Sequence, residues 1–313
     1  MSTVWCQPTA TVLPDPRTNL TTQASDARLS NECFSLLLEI DRALEDVERL
    51  VPLDDDRYHK THEAFEARSN QREGILAWLC EHSGKQATRT GDLRVLSIGC
   101  GDGSVDLPTA RTLGDKSDHV HFAALDPNQA QLSQLEKAFA VAALSNVTLT
   151  THAKQLGDFD ADERFDHIHC VHSFYYMPDP AAALELAIEM LADDGELLLF
   201  HAPCEDLNSL SARFYDKYYE RTTPFAEDFV TLLDESGHNY RRERIHARID
   251  VTSHFDTHST HGHELRDFIL QFDSSCLPST VVDLVERYIR VIAEGTSSAA
   301  SIAHPLDVFV IRA

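Results

Sequence analysis

VLSIGCGDGSVDL, residues 95–107, carries the clearest signal in the chain. Apolar residues lead up to Ile98, glycines follow at 99, 101 and 103, and the pattern resumes at Asp106 as a helix would start. A strand that ends in a glycine turn and feeds a helix is the usual cradle of a nucleotide-like ligand, because glycine lets the backbone approach closely. Here the turn lacks the Lys-Ser/Thr pair with which a phosphate loop reaches phosphates and magnesium, and its third glycine does not fit the dinucleotide spacing. Asp102, inside the turn, would repel a pyrophosphate. The next expected strand ends in Asp126-Pro127, 23 residues beyond Gly103. A carboxylate at that strand end can accept both hydroxyls of a ribose. Glycines for close approach, one acidic ribose clamp and no phosphate ligand point to S-adenosylmethionine.

Strands and helices alternate on both sides of this turn. Strands are expected over 93–98, 121–125, 147–152, 167–173 and 196–201, with helices over 106–113, 129–143 and 180–191 between them. Crossovers of this length imply a mostly parallel sheet. Before the turn, apolar spacing predicts helices over 24–51 and 60–82. After Pro203 come helices over 207–219 and 226–236, a strand over 243–251, helices over 262–272 and 279–294, and a closing strand LDVFVIRA. Residues 1–23, rich in Thr and Pro, read as a disordered tail. The expected organisation is one catalytic domain over 24–313, with N-terminal helices (24–90) and a helical substrate-region insertion near 204–295.

The bulk composition excludes several classes of function. A net charge of −24, from 51 acidic against 27 basic residues, argues against nucleic acid and anionic membranes as partners. No apolar run is long enough to span a bilayer and the N-terminus has no secretory pattern, so the expected location is the cytoplasm. Seven scattered cysteines without CxxC spacing fit reduced thiols better than disulfides or zinc.

The chain resembles the class I methyltransferases, and within them the histamine N-methyltransferase family. VLSIGCGDGSVDL is similar to that family's glycine-turn stretch, and FDHIHCVHSFYYMPDPAAAL (165–184) to its segment with a tyrosine pair after the fourth strand. AEDFVTLLDESG and LDVFVIRA also have counterparts, so the likeness runs from about Tyr58 to Ala313. The resemblance implies a Rossmann-like α/β fold, with a seven-stranded, mostly parallel sheet whose last strand is antiparallel. Carried over position by position, it implies cofactor contacts at Gly99, Gly101, Asp126, Gln131, Gln155 and Val171. Asp126 stands where the family has a glutamate, and Gln155 where it has a small hydroxyl residue. Gln131 and Gln155 also read as ordinary surface glutamines.

The acceptor is expected beyond the carboxyl ends of the strands, against HSFYYMPD (172–179). Methyl transfer is an in-line displacement that needs a neutral nucleophile held roughly 3 Å from the methyl group. His172, Tyr175 and Tyr176 are the candidate catalytic residues, and Tyr58, Gln71, His172, Tyr176, His254 and His304 the candidate acceptor contacts. Aromatic faces there would stabilise an amine cation or the sulfonium. The histamine enzymes use a glutamate, a glutamine and an asparagine where this chain carries Gln71, His172 and His304. That exchange points to a changed acceptor, one bearing a carboxylate or a hydroxyl among the options.

The cluster SHFDTHSTHGHE (253–264) is rich in metal-ligating types, yet a methyl donor already activated as a sulfonium needs no Lewis acid. No metal is therefore expected there, and the stretch reads as a cap over the acceptor or as a solvated loop. His59, His62, His167 and His169 read as packing or surface residues, the last two sharing one face of a strand. The leading reading is methyl transfer from S-adenosylmethionine to an amine or imidazole nitrogen of a small molecule, by a monomer or homodimer. An O- or S-methyltransferase of a small carboxylate or secondary metabolite, and a non-catalytic cofactor-binding subunit, are the alternatives.

Overall fold

The computed structural model describes residues 30–86, 91–160, 163–219, 223–255 and 259–312; the 1–23 tail lies outside these ranges. Helices α1 (Asn31–Glu45), α2 (Asp55–Glu66) and α3 (Gln71–Gln86) precede the sheet. Then come β1 (Asp92–Ile98), α4 (Asp106–Gly114), β2 (His119–Leu125), α5 (Gln129–Ala142), β3 (Val147–His152) and β4 (Phe165–Val171). A single 3-10 turn, Phe174–Tyr176, leads to α6 (Pro180–Glu189) and β5 (Leu191–His201). The chain continues through α7 (Asp206–Tyr219), α8 (Ala226–Ser236), β6 (Tyr240–Ile245), β7 (Arg248–Asp250), α9 (Thr260–Leu270) and α10 (Ser279–Ile292). It closes with β8 (Glu294–Thr296), β9 (Ala299–Ala303) and β10 (Leu306–Arg312).

Seven strands form one sheet in the order β3-β2-β1-β4-β5-β10-β6. The pairs from β3 to β5 are parallel, and β10 runs antiparallel to both neighbours. This is the sheet that the resemblance implied. Its centre is apolar on both faces, as parallel strands require: Val95, Leu96, Ile98, Ile168, Cys170 and Leu197–Phe200 are buried. Local chemistry sets the ends of the helices. The Asn128 side chain caps α5 by accepting the N–H groups of Ala130 and Gln131. Asp179 caps α6 ahead of Pro180, and Gly237 closes α8 in the left-handed conformation.

Three sequence expectations are corrected. The helix expected over 60–82 breaks into α2 and α3 at Ala67–Asn70, where Asn70 exchanges hydrogen bonds with Arg248 at the start of β7. The strand expected over 243–251 splits between two sheets, β6 joining the large sheet and β7 joining β9 and β8 in a three-stranded one. The small sheet's other strands, EGT and AASIA, are not expected from the sequence; only Ala300 and Ile302 of β9 are buried in them. Finally, α1 spans Asn31–Glu45 and ends earlier than the expected 51.

The N-terminal helices and the late insertion are far apart in sequence but share one core. Leu37 and Ile40 of α1, Leu210 and Phe214 of α7, Leu265 of α9, and Val281, Val285 and Tyr288 of α10 lie in a single buried cluster. Phe65 of α2 belongs to the same cluster, so this core seats the helix that carries Tyr58.

Candidate active site

The glycine turn follows the carboxyl end of β1, beside β4, where the strand order reverses direction. Crevices form at such switch points because the crossover helices on either side diverge. Gly99, Gly101 and Gly103 have φ of +71°, +55° and +78°, the left-handed region that disfavours side chains. A Cβ on Gly99 would lie 2.4 Å from Cβ of Ser173, and one on Gly103 would lie 2.7 Å from Cγ of Leu135. Those two glycines are demanded by packing. A Cβ on Gly101 would meet nothing within 4 Å, so this residue leaves an open cradle. The Gly101 N–H donates to Oδ2 of Asp126 at 3.0 Å, and the Asn128 N–H donates to Oδ1 at 2.8 Å.

Burial raises the pKa of Asp126, and the two N–H donors only partly offset that. A carboxylate short of donors beside an open glycine cradle fits a ribose diol, whose two hydroxyls would supply the missing hydrogen bonds. Cys100 in the same turn has its thiol pushed far up by burial and by Asp106 and Asp126, so it is unreactive at neutral pH. Gln131 is half-buried in the first turn of α5, and Gln155 is exposed just after β3. Val171 ends β4 and packs against the cluster of Ile75, Leu198 and Phe200.

The structure brings Gln71, His172 and His304 together from three distant segments. Gln71, the first residue of α3, is 5% exposed. Its amide Nε2 donates to the His304 carbonyl at 2.9 Å and lies 3.4 Å from that of Pro305. That orients Oε1 towards His172, whose Nε2 is 2.8 Å away and therefore carries the hydrogen. Nδ1 of His172 is left as an acceptor, with the Tyr175 hydroxyl at 3.5 Å. Nδ1 of His304 is bonded to Ser69 Oγ at 2.8 Å. Burial lowers the pKa of both imidazoles to about 4, so at neutral pH the cluster is uncharged. His172 itself sits at φ +52°, a strained backbone for a residue of its size.

Aromatic rings pack against His172 and His304. The Tyr175 hydroxyl accepts the Ala202 N–H at 2.8 Å, and its ring stacks on His201 with centroids 4.0 Å apart. The hydroxyls of Tyr58 and Tyr176 share a hydrogen bond. Tyr176 is 59% exposed over the whole residue, and burial raises the pKa of its hydroxyl. Tyr58 stacks parallel on His62 at 6.0 Å, and Phe65 meets the His304 ring edge-on at 5.1 Å.

His254 lies apart from these contacts. It is buried in the turn Thr252–Phe255, edge-on to Phe255, and its pKa is lowered to about 4 by burial, Arg266 and Arg290. In the histidine-rich stretch around it, Asp256 and His258 fall outside the described residues. His261 and Lys60 both pair with Glu264, at 3.0 and 2.6 Å, and Nδ1 of His263 bonds Arg266. No group of three or more His, Cys, Asp or Glu among the described residues is arranged to hold a metal ion.

Several neighbours escaped the sequence reading. His201 ends β5 fully buried, and the rule that ligands gather at carboxyl strand ends would have picked it out. Glu66, Arg72 and Ser104 form a bridge described below. His169 and Asp106 are 2.8 Å apart and buried, fastening β4 to the start of α4. Their pairing depends on two side chains 63 residues apart and has no local signature.

Residues 41–259 match the family described as Methyltransferase domain. The chain belongs to that family. As a methyltransferase it depends on S-adenosylmethionine. It is 21% identical over 257 residues to histamine N-methyltransferase of Bos taurus, a match covering 74% of this chain and 87% of the relative. It is 28% identical over 148 residues to the ubiquinone biosynthesis O-methyltransferase of Xanthomonas axonopodis pv. citri (strain 306), covering 47% of this chain and 55% of that one. A candidate methyltransferase of Bacillus halodurans C-125 shares the fold, with a TM-score of 0.52 and 18% identity over 76% of this methyltransferase and 97% of its own chain.

Proposed function

We propose that this methyltransferase acts on a nitrogen of a small amine or imidazole, with the cofactor held by the Gly99–Gly101 turn and Asp126. The observation that carries this reading is the uncharged cluster of Gln71, His172 and His304 beside that turn. S-adenosylmethionine, when bound, supplies a methyl group already activated on a sulfonium centre. The chain's own residues then have to exclude water and hold a neutral nucleophile in line. Buried, aromatic surroundings favour the neutral form of an amine or azole, which is the form that carries the nucleophilic lone pair. Nδ1 of His172 is suited to accept an N–H of the acceptor and so orient it.

Histidines held near pKa 4 orient the acceptor better than they take its proton. A neutral amine or azole nitrogen attacks without losing a proton first, and its cationic product can lose one to water afterwards. An alcohol needs its proton removed as it reacts, and this cluster offers only weak bases for that. The bovine histamine N-methyltransferase relative supports a nitrogen acceptor. The Xanthomonas O-methyltransferase relative keeps oxygen as the second reading, although it spans less than half of this chain.

The test is a mass-spectrometric screen with S-adenosylmethionine and a panel of small amines, imidazoles, carboxylates, alcohols and thiols. A product one methylene heavier, formed from an amine or imidazole, is expected. Products formed only from the oxygen or sulfur acceptors would replace this reading with the second one. His172→Asn, chosen because asparagine tolerates left-handed backbone, should lower turnover far more than cofactor affinity.

A further inference from the structure

Arg72 reaches in two directions. Its Nε donates to Oε2 of Glu66 at 2.6 Å, and its Nη1 donates to Oγ of Ser104. Glu66 is the last residue of α2, the helix that also carries Tyr58 and His62. Ser104 belongs to the glycine turn, where its N–H donates to Oδ1 of Asp102 at 3.0 Å. One guanidinium thus spans from the acceptor-side helix to the cofactor turn. The fork is specific to arginine, whose planar group offers donors on two edges. Arg72 and Glu66 are 40% and 32% exposed, and ion pairs so exposed contribute little to stability. As a staple of the fold the bridge is weak, but as a geometric link it is well placed.

We propose that Arg72 couples cofactor binding at the turn to the ordering of α2. Ligand at the turn fixes Ser104, Arg72 carries that order to Glu66, and α2 then holds Tyr58 against Tyr176. Arg72 is a positioning residue: it acts through Glu66 and Ser104 and touches no reacting atom. The coupling is thermodynamic, so cofactor affinity and acceptor affinity would each rise when the other ligand is bound. This inference rests on the reading that the cofactor occupies the turn beside Asp126.

The test is hydrogen–deuterium exchange of the full chain with and without S-adenosylhomocysteine, following the amides of residues 55–66 and, separately, those of 98–104. In the wild type both segments should gain protection. In Arg72→Gln the turn should stay protected, while the ligand-induced protection of 55–66 falls by at least about fivefold. Glu66→Gln, which leaves the turn untouched, should do the same, and Arg72→Lys should restore little because an ammonium lacks the second arm. Undiminished protection of 55–66 in Glu66→Gln, or none in the wild type, overturns the coupling. Failure of the wild type to bind S-adenosylhomocysteine by calorimetry would instead strike the cofactor reading beneath it.

Discussion

Nε2 of His172 lies 2.8 Å from Oε1 of Gln71, and this bond selects the tautomer of His172. Because the Gln71 amide nitrogen is committed to the His304 carbonyl, Gln71 can offer only an acceptor to the imidazole. Gln71→Leu should strand a buried imidazole N–H and a carbonyl, costing about 1–3 kcal/mol in denaturant unfolding. Turnover should drop further than stability explains, as His172 samples the other tautomer. Ring-nitrogen NMR of His172 reads the change directly; an unaltered tautomer in the variant would remove Gln71 from the orienting role.

Two glycines of the turn should respond differently to alanine. Gly99→Ala drives a Cβ against Ser173 at a left-handed backbone, so the fold should suffer first, with a clear loss of melting temperature. Gly101→Ala meets open space and pays only for its backbone, about 1 kcal/mol. Its methyl group enters the proposed cofactor cradle, however, so affinity for S-adenosylhomocysteine should fall about tenfold or more while the protein stays folded. Calorimetry and thermal melts on both variants separate the two effects. Equal cofactor affinity in Gly101→Ala and the wild type would move the cofactor away from this turn.

Asp126→Ala tests the same reading from its polar side. Removing the carboxylate frees the N–H groups of Gly101 and Asn128 and deletes the proposed ribose acceptor. Cofactor binding should become undetectable by calorimetry in a variant that still melts cooperatively. Unchanged affinity would sink the ribose-clamp assignment.

The buried histidines make acid stability predictable in sign. Burial lowers the pKa of His172 and His304 to about 4, and that of His201 to about 3, from the ordinary 6.5. Between those values the unfolded chain binds protons that the folded chain refuses, so stability is fully present above pH 6.5 and is lost as pH falls towards 4. Each histidine can contribute up to roughly 3 kcal/mol of that loss. Denaturant midpoints measured from pH 7.5 to 4.5 should fall steadily. Replacing His201 with Phe should flatten the curve; a profile unchanged by that substitution would show that His201 is not part of the effect.

Asp307 provides a test of the sheet's antiparallel edge. It is fully buried on β10, bonded to Arg242 and Arg244 of β6, and Arg244 in turn grips Glu205. Asp307→Ala would remove the buried carboxylate shared by the two guanidinium groups, which keep Glu227 and Glu205 and partial exposure, at a cost of about 1–3 kcal/mol. Urea unfolding reads that cost, and a loss under 1 kcal/mol would mean that water reaches the pair.

Much of this architecture is legible in local sequence. The strand–glycine–helix stretch, the alternation of strands with helices and the apolar end strand each follow from short-range periodicity, turn chemistry and capping. Asn128, Asp179 and Gly237 bound their helices where such residues are expected to. The break between α2 and α3 was not legible, because it arises when Asn70 pairs with Arg248, 178 residues away. The split of β6 from β7 has the same character, since each strand's partner lies in a different sheet.

By itself, then, the sequence determined most of the elements, the parallel core of the sheet, the position of the glycine turn and the acidic strand end beside it. Those depend on neighbours along the chain. Only the tertiary structure decided that Gln71, His172 and His304 form one hydrogen-bonded, uncharged cluster, that Gly101 rather than Gly99 opens a cradle, and that Arg72 joins α2 to the turn. Each of these turns on which side chains burial brings within about 3 Å of one another, the range in which hydrogen bonds act, and on how far that burial moves their charges.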